Sequence, residues 1–289
     1  MPTPPRLTLV TRGSPLARRQ TELTVERLAR LLPGTEFVTE IIVTTGDRRT
    51  EWSLEKEGGK GLFTSELEAA LREGRGDIAV HSAKDLPTDM PEGLAIAGYL
   101  PREDAADTLV RRADTPQPRR IATGSPRRRA QARILFPDAQ FTELRGNVDT
   151  RLRKIAAGEA DASFLAAAGL NRLGIREWPG LVFERFGLDR MVPAAGQAAV
   201  ALQTRAAEAA RFAPLLDAHC ARAATIERRF LARLGEGCHT AFAAHWENGR
   251  IHLFRDDFGR HTFPFPAPES TGALDRAVDA ALRLLPGVA

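Results

Sequence analysis

Arginines stand where helices begin in this sequence, and that arrangement can hold anions. Gly13-Ser14-Pro15-x-x-Arg18-x-Gln20 and Gly124-Ser125-Pro126-x-x-Arg129-x-Gln131 agree at the turn, the arginine and the glutamine. Ser14 and Ser125 are natural N-caps, and Pro15 and Pro126 suit the first helical position, so each turn opens a helix. The free N–H groups of a first helical turn and the helix dipole favour an anion there. Arg12, Ser14, Thr123, Ser125, Arg127 and Arg128 gather around these two turns. A third segment, Arg145-Gly-Asn147-Val-Asp149-Thr-Arg151, reads as another helix start capped by Asn147, and Arg172 follows the next strand to the same edge. A carboxylate that meets a desolvated arginine gains a charge-assisted hydrogen bond of roughly 1.5–3 kcal/mol, so six or seven such groups suit a ligand with several carboxylates. Alone, Arg127-Arg128-Arg129 reads equally well as a solvated face. The repeated Gly-Ser-Pro turn shifts the reading toward a cleft flanked by two anion sites.

Three other segments could carry chemistry. His81-Ser-Ala-Lys84-Asp85-Leu-Pro87 follows a buried strand, and a Lys–Asp pair at a strand's carboxyl end sits where catalytic groups of α/β folds are found. The plain alternatives are a surface ion pair worth under about 1 kcal/mol and, for His81, a satisfied core residue. Gly58-Gly-Lys60-Gly61-Leu62-Phe63 lacks the P-loop spacing. It reads as a surface loop, or as a lid carrying Lys60 and Phe63 over the cleft. Gly235-Glu-Gly-Cys238 puts a cysteine in a glycine turn, accessible enough to react, whereas Cys220 fits a buried thiol. Convergence of His219-Cys220 with Cys238-His239 on zinc is the other option, although the spacing matches no standard zinc site, so no metal is expected.

Composition narrows the classes. The length of 289 residues fits about two domains, or three small ones, and a hydrophobic content of 43% supports real cores. Lysine occurs only at positions 56, 60, 84 and 154, so Lys60 and Lys84 survive in a chain that otherwise writes arginine. Net charge is only +4, one tyrosine is present, and the arginines are interleaved with acids, which argues against nucleic-acid binding. No apolar run approaches a membrane span and the N-terminus lacks a signal-peptide pattern. Two cysteines make no disulfide framework. These features predict a cytoplasmic protein.

Two lobes on one plan would position these residues. Strand Arg6–Val10 with a helix to about Leu32 matches strand Arg120–Thr123 with a helix to about Phe136. Gly74-x-x-Asp77 before strand Ile78–His81 matches Gly158-x-x-Asp161 before Ala162–Leu165. Strand Phe37–Val43 with helix Thr64–Glu73, and Gln140–Leu144 with Val148–Ala157, lie between. The pattern predicts two α/β lobes of parallel strands with right-handed crossovers. Ligands then bind beyond the carboxyl ends of the strands. The remainder, with helix Thr225–Leu234, strands near Ala241–Trp246 and Arg250–Phe254, a hairpin turn at Arg255–Gly259 and helix Ser270–Leu285, reads as a small α+β domain.

Gly58–Phe63, His81–Thr88, Thr123–Arg128, Arg145–Arg151 and Ala167–Leu170 with Arg172, together with Arg12–Ala17 and Cys238, resemble the porphobilinogen deaminase (hydroxymethylbilane synthase) family over nearly the whole chain. The resemblance implies two periplasmic-binding-protein-like lobes, 1–99 with 194–216 and 100–193, and a C-terminal domain, 217–289. It implies a monomer and a dipyrromethane cofactor joined by a thioether to Cys238. It further implies stepwise condensation of four porphobilinogen molecules with loss of ammonia into a linear tetrapyrrole. Asp85 is then the candidate for stabilising the cationic azafulvene, as a buried carboxylate. Arg12, Arg127, Arg128, Arg145, Arg151 and Arg172 are candidates for the carboxylate arms, assisted by Lys84 and Ser125. Gln197 falls at the hinge. Two departures stand out: His239-Thr-Ala-Phe-Ala243 replaces a Pro-Ile-Gly or Pro-Val-Gly element, and Ala198 follows Gln197 where glycine is typical. Both are expected to lie away from the arginine cleft. The rival reading is a non-catalytic two-lobed anion-binding protein, which would need neither the Lys84-Asp85 pair nor a reactive Cys238.

Overall fold

A computed structural model of the chain describes residues 5–48, 61–234, 241–268 and 270–286. Strand β1 (Arg6–Arg12) pairs in parallel with β2 (Glu36–Ile42) from Arg6↔Glu36 to Arg12↔Ile42, and with β3 (Ile78–Ser82) on its other side. Helix α1 (Pro15–Leu31) connects β1 to β2. Ser14 Oγ accepts from Ala17 N at 3.2 Å, and Ala17, Gln20, Thr21, Thr24 and Leu28 form the buried stripe at helical spacing. A short helix α2 (Thr45–Arg48) and α3 (Ser65–Arg72) precede β3. Strand β4 (Leu94–Tyr99) closes this part of the chain, which then crosses into the second lobe.

The second lobe begins with β5 (Asp107–Arg112) and continues with β6 (Arg120–Ala122), α4 (Pro126–Leu135), β7 (Gln140–Thr142), α5 (Val148–Ala156), β8 (Ala162–Ala166), α6 (Ala167–Arg172) and β9 (Leu181–Arg185). The chain then returns to supply β10 (Val200–Arg205) to the first sheet, followed by the short helix α7 (Ala209–Phe212). The strand orders are β2-β1-β3-β10-β4 and β7-β6-β8-β5-β9. Position by position these are the same topology, which bears out the single plan for two lobes.

The expectation of purely parallel sheets is corrected. β10 runs antiparallel to β3 and β4, and β5 runs antiparallel to β8 and β9. The reason is connectivity. β5 and β10 are each the first strand after a crossing from the other lobe, so they enter their sheet from the end opposite to the strands built by local crossovers. Strands β4, β5 and β9 escaped the sequence reading because short segments such as Leu94–Tyr99 lack clean alternation of apolar residues.

The third domain packs α8 (Ala218–Leu234) and α9 (Thr271–Leu282) on an antiparallel meander of β11 (Ala243–Glu247), β12 (Arg250–Arg255) and β13 (Gly259–Pro264). Its core gathers Ile226, Phe230, Phe242, Ile251, Leu253 and Val278. Asn248 and Gly249 take φ of +50° and +73°, as a two-residue type I′ hairpin requires. Helix α8 starts seven residues before the expected Thr225, so His219 and Cys220 lie within it. Among the described residues, no helix is long and apolar enough to cross a membrane.

Candidate active site

The carboxyl ends of β1, β3, β6 and β8 and the helix starts that follow them converge between the lobes. Leu16, Gln20, Ser82 and Lys84 of the first lobe face Ala168, Gly169 and Arg172 of the second across a cavity of about 30 Å³, closed by the returning segment at Gly196 and Ala198. Gly169 sits where a Cβ would be 3.6 Å from the Leu16 side chain, so the two lobes approach closely here.

Lys84 and Asp85 lie in a single 3₁₀ turn at the end of β3. Burial brings the Lys84 ammonium down to about 8, and the nearby Arg128 guanidinium acts in the same direction. Asp85 is exposed, which corrects the expectation of a buried carboxylate. The reason is its position on a turn at the cleft wall, where no group among the described residues covers it. Its charge is nonetheless felt by Lys84, Arg128 and Arg151. His81, just before, is a core residue: its Nε2 lies 3.0 Å from Gln203 Oε1, and burial lowers its pKa to about 4.

In the second lobe Ser125 caps α4, its Oγ accepting from Arg128 N at 3.4 Å, while Thr123 Oγ1 accepts from Ser125 N at 3.2 Å. Arg127 and Arg128 are both buried against Asp107, which is fully enclosed at the start of β5. Arg127 Nη1 donates to Asp107 Oδ2 at 2.7 Å and to the Val192 carbonyl at 2.7 Å. Arg128 Nε donates to Asp107 Oδ1 at 2.9 Å and Nη1 to the Phe164 carbonyl at 2.8 Å. Burial opposes ionisation of Asp107, yet the two guanidinium groups hold its carboxyl well below the usual carboxylate range. Arg127, expected at the ligand, is thus engaged internally.

Arg145 and Arg151 present more available charge. Arg145 Nε is 3.5 Å from Glu143, an ion-pair distance outside hydrogen-bonding geometry. Its Nε and Nη2 are buried without a hydrogen-bond partner among the described residues, as is Arg128 Nη2 despite its 2.7 Å ion-pair approach to Asp107. Arg151 loses hydration and faces Arg128 and Arg145, which together lower its pKa to about 10. Three cations thus crowd one wall and disfavour one another, an arrangement that an anion relieves.

The remaining expected residues divide between the lobes. Arg12 chelates Asp47 through Nε and Nη2, and its guanidinium lies 4.1 Å from the Phe63 ring centroid. Phe63 itself fits because Gly46 has no side chain; a Cβ there would be 2.2 Å from the ring. Arg172 Nη2 donates to the Ala198 carbonyl at 2.6 Å. That contact corrects the expectation that Ala198 lies away from the arginine cleft: the residue lines the cavity beside Lys84 and Arg172. Gln197 is buried, donating to the Ala105 carbonyl at 2.7 Å and to Asp107 Oδ1 at 3.2 Å, so it stitches the two crossing segments together. Lys60 and Cys238 lie outside the described residues. Cys220 is enclosed, and burial pushes its thiol up to about 12. His219 packs on Trp246 at 5.9 Å.

Asp107, Gln20 and Glu227 were missed by sequence reading. Gln20 Nε2 donates to Ser82 Oγ at 2.9 Å behind Lys84. The repeated glutamine of the Gly-Ser-Pro motif was a usable signal for Gln20. Asp107 offered none beyond an acid between Ala-Ala and Thr-Leu-Val.

Residues 7–212 match the family described as "Porphobilinogen deaminase, dipyromethane cofactor binding domain". A porphobilinogen deaminase of Roseiflexus castenholzii is 44% identical over 82% of this chain and 80% of its own length. Another, of Syntrophus aciditrophicus, is 41% identical over 95% of this chain and 92% of its own. Among solved structures, the periplasmic VFT2 domain of Bordetella pertussis BvgS is matched over 69% of this chain and 80% of that one at 17% identity, with a TM-score of 0.41.

Proposed function

The chain belongs to the porphobilinogen deaminase family, and from that premise we propose how its own residues divide the work of the reaction. It is a transferase of tetrapyrrole biosynthesis that joins four porphobilinogen molecules stepwise, with release of ammonia, to give linear hydroxymethylbilane. The dipyrromethane cofactor, when bound, supplies the pyrrole carbon to which the first substrate is joined. The rival reading, a two-lobed anion receptor without catalysis, leaves the family membership unexplained.

The observation that carries the assignment is the pair of buried Arg145 guanidinium nitrogens that have no hydrogen-bond partner among the described residues, beside Arg128 and Arg151. Such groups fit the acetate and propionate arms of linked pyrroles, since a carboxylate restores the hydrogen bonds that burial removed. Arg145, Arg151, Arg128 and Arg172 hold carboxylates on the second lobe, with Thr123 and Ser125 at the helix start assisting. Arg12 and Ser14 serve from the first lobe with Phe63 against Arg12, and Lys60 contributes a further positive charge. Arg127 positions Arg128 through Asp107 and does not itself bind.

Asp85 accepts the pyrrole N–H groups, stabilises the positive charge that develops as the amine departs, and takes up the proton released when the new bond forms. A ligand over the turn excludes water from its exposed carboxylate, and that raises the worth of each interaction. Lys84 gains a full positive charge as the anion arrives. Gln197 holds the hinge, Cys238 carries the thioether, and the enzyme works as a single chain in the cytoplasm.

The intact mass of freshly purified protein tests this reading. An excess equal to two linked pyrrole units, absent from Cys238→Ser, is expected. Active protein with the mass of the bare chain contradicts it.

A further inference from the structure

One carboxylate outside the reacting centre grips both segments that join the lobes. Glu227, on α8 of the third domain, is wholly buried. It accepts from Arg102 Nη1 at 2.6 Å and Nη2 at 2.9 Å, from Gly196 N at 2.8 Å and from Trp246 N at 2.8 Å. Arg102 lies in the first crossing, between β4 and β5, and its Nε also donates to the Gln197 carbonyl at 3.0 Å. Gly196 lies in the second crossing, before β10. Glu227 therefore ties the two crossings to each other and to the third domain.

The grip reaches the site through backbone. A Cβ at Gly196 would meet Ala83 Cβ at 3.1 Å and Lys84 N at 3.3 Å, so the segment lies directly on the Lys84 turn. The next residue, Gln197, bonds to Ala105 and Asp107, and the one after it, Ala198, accepts from Arg172. A small displacement at Glu227 is thus passed to Lys84, to Asp107 with its arginines, and to Arg172.

One more group faces Glu227. His245, buried on β11, has Nδ1 at 3.3 Å from Glu227 Oε1 and Nε2 at 3.6 Å from Glu247 Oε2. Nδ1 is buried and makes no hydrogen bond among the described residues, so both contacts are ion-pair distances, which an imidazolium turns into attraction and a neutral ring does not. Arg102 is a second cation of the cluster, His252 faces the ring from β12 at 6.4 Å between centroids, and Asp104 in the first crossing feels its charge. Arg185 pairs with Asp104 and also feels Glu247, so three carboxylates, Glu227, Glu247 and Asp104, against two guanidinium groups, Arg102 and Arg185, leave a deficit of one positive charge, which protonated His245 fills.

We propose that His245 is a positioning residue for the condensation: protonated, it completes the Glu227 grip on both crossings and sets the lobe spacing, and deprotonated, it lets the cleft loosen. The inference rests on the enzymatic reading above for its functional readout. Burial disfavours the charged ring, yet Glu227 and Glu247 outweigh that and raise its pKa above the ordinary value. Its charge is therefore complete below the ordinary value and is lost as pH rises through the raised one.

The test uses the cofactor-loaded enzyme and His245→Gln, which keeps a donor and cannot titrate. KM for porphobilinogen and kcat are measured from about pH 6 to 9, alongside an NMR titration of the imidazoles in the parent. In the parent, KM rises roughly threefold across the His245 titration, in addition to the alkaline rise that Lys84 causes above about pH 8; in His245→Gln KM starts at the upper value and shows only that alkaline rise, while kcat changes little. Superimposable KM profiles, or an NMR titration in which His245 stays neutral over the whole range, overturn the proposal. Should the variant not fold, the NMR titration alone decides. Failure of the enzymatic reading looks different: no porphobilinogen is consumed at any pH although His245 still titrates.

Discussion

Arg172 donates to the carbonyl of Ala198 at 2.6 Å, and Ala198 is held in the left-handed region at φ +69°. An alanine there costs about 1–2 kcal/mol relative to the usual backbone conformations. The conformation persists because Arg172 anchors its carbonyl and its methyl packs with Ala105 and Ala168. One substituted position thus carries strain, a cation and a lobe-to-lobe contact together.

Ala198→Gly relieves the strain, frees the unfolded chain and removes a methyl, effects of similar size and mixed sign, so stability changes by less than about 1 kcal/mol. Ala198→Val places a β-branched side chain at positive φ and costs more than about 2 kcal/mol. Urea unfolding of the two variants checks the contrast, and equal stabilities would remove the argument from backbone strain.

Asp107→Asn leaves Arg127 and Arg128 buried without their counter-charge and costs about 3–5 kcal/mol. The same carboxylate shapes the acid limb of stability. Burial opposes ionisation of both Asp107 and Glu227, but their guanidinium partners prevail; Glu227 sits at about 2 and Asp107 lower still. Their contribution is complete above the unfolded values near 4 and is lost as pH falls through the folded ones. Unfolding free energy in the parent therefore declines between about pH 5 and 2, and the decline is shallower in Asp107→Asn. Parallel slopes in parent and variant contradict this.

Asp85→Asn lowers porphobilinogen turnover by at least about 100-fold, because an amide cannot take the proton or balance the developing cation. Asp85 is exposed on a turn, so the melting temperature stays within about 2 °C of the parent. Turnover within a few-fold of the parent rules out its assignment.

Burial and the nearby Arg128 guanidinium bring the Lys84 ammonium down to about 8. A polyanionic ligand restores that charge, so above about pH 8 binding takes up a proton and KM rises with pH. Lys84→Arg stays charged and flattens this alkaline limb, at some loss in absolute affinity. Steady-state KM between about pH 7.5 and 9.5 reads the difference, and an unchanged limb in the variant counts against Lys84.

The helix starts that carry the arginines were legible because their signals are local. Ser14 and Ser125 cap within three residues, Pro15 and Pro126 preset the first turn, and both caps form as read. The two-lobe plan was legible for a related reason: duplicated motifs at matching offsets require no knowledge of packing. Sheet direction was not, because β5 and β10 take their orientation from crossings between lobes. Nor could residue types alone say which arginines are engaged by protein and which are open to a ligand. Arg127 and Arg145 look alike in sequence, and only Asp107, brought against α4 by β5, separates them. Glu227 with His245, and the site of the Ala198 departure, were beyond reach for the same reason. By itself the sequence determined the repeated frame and pointed to anion-binding chemistry, through short-range propensities and charge; the tertiary structure decided which charges neutralise one another, because burial and counter-charge depend on residues far apart in the chain.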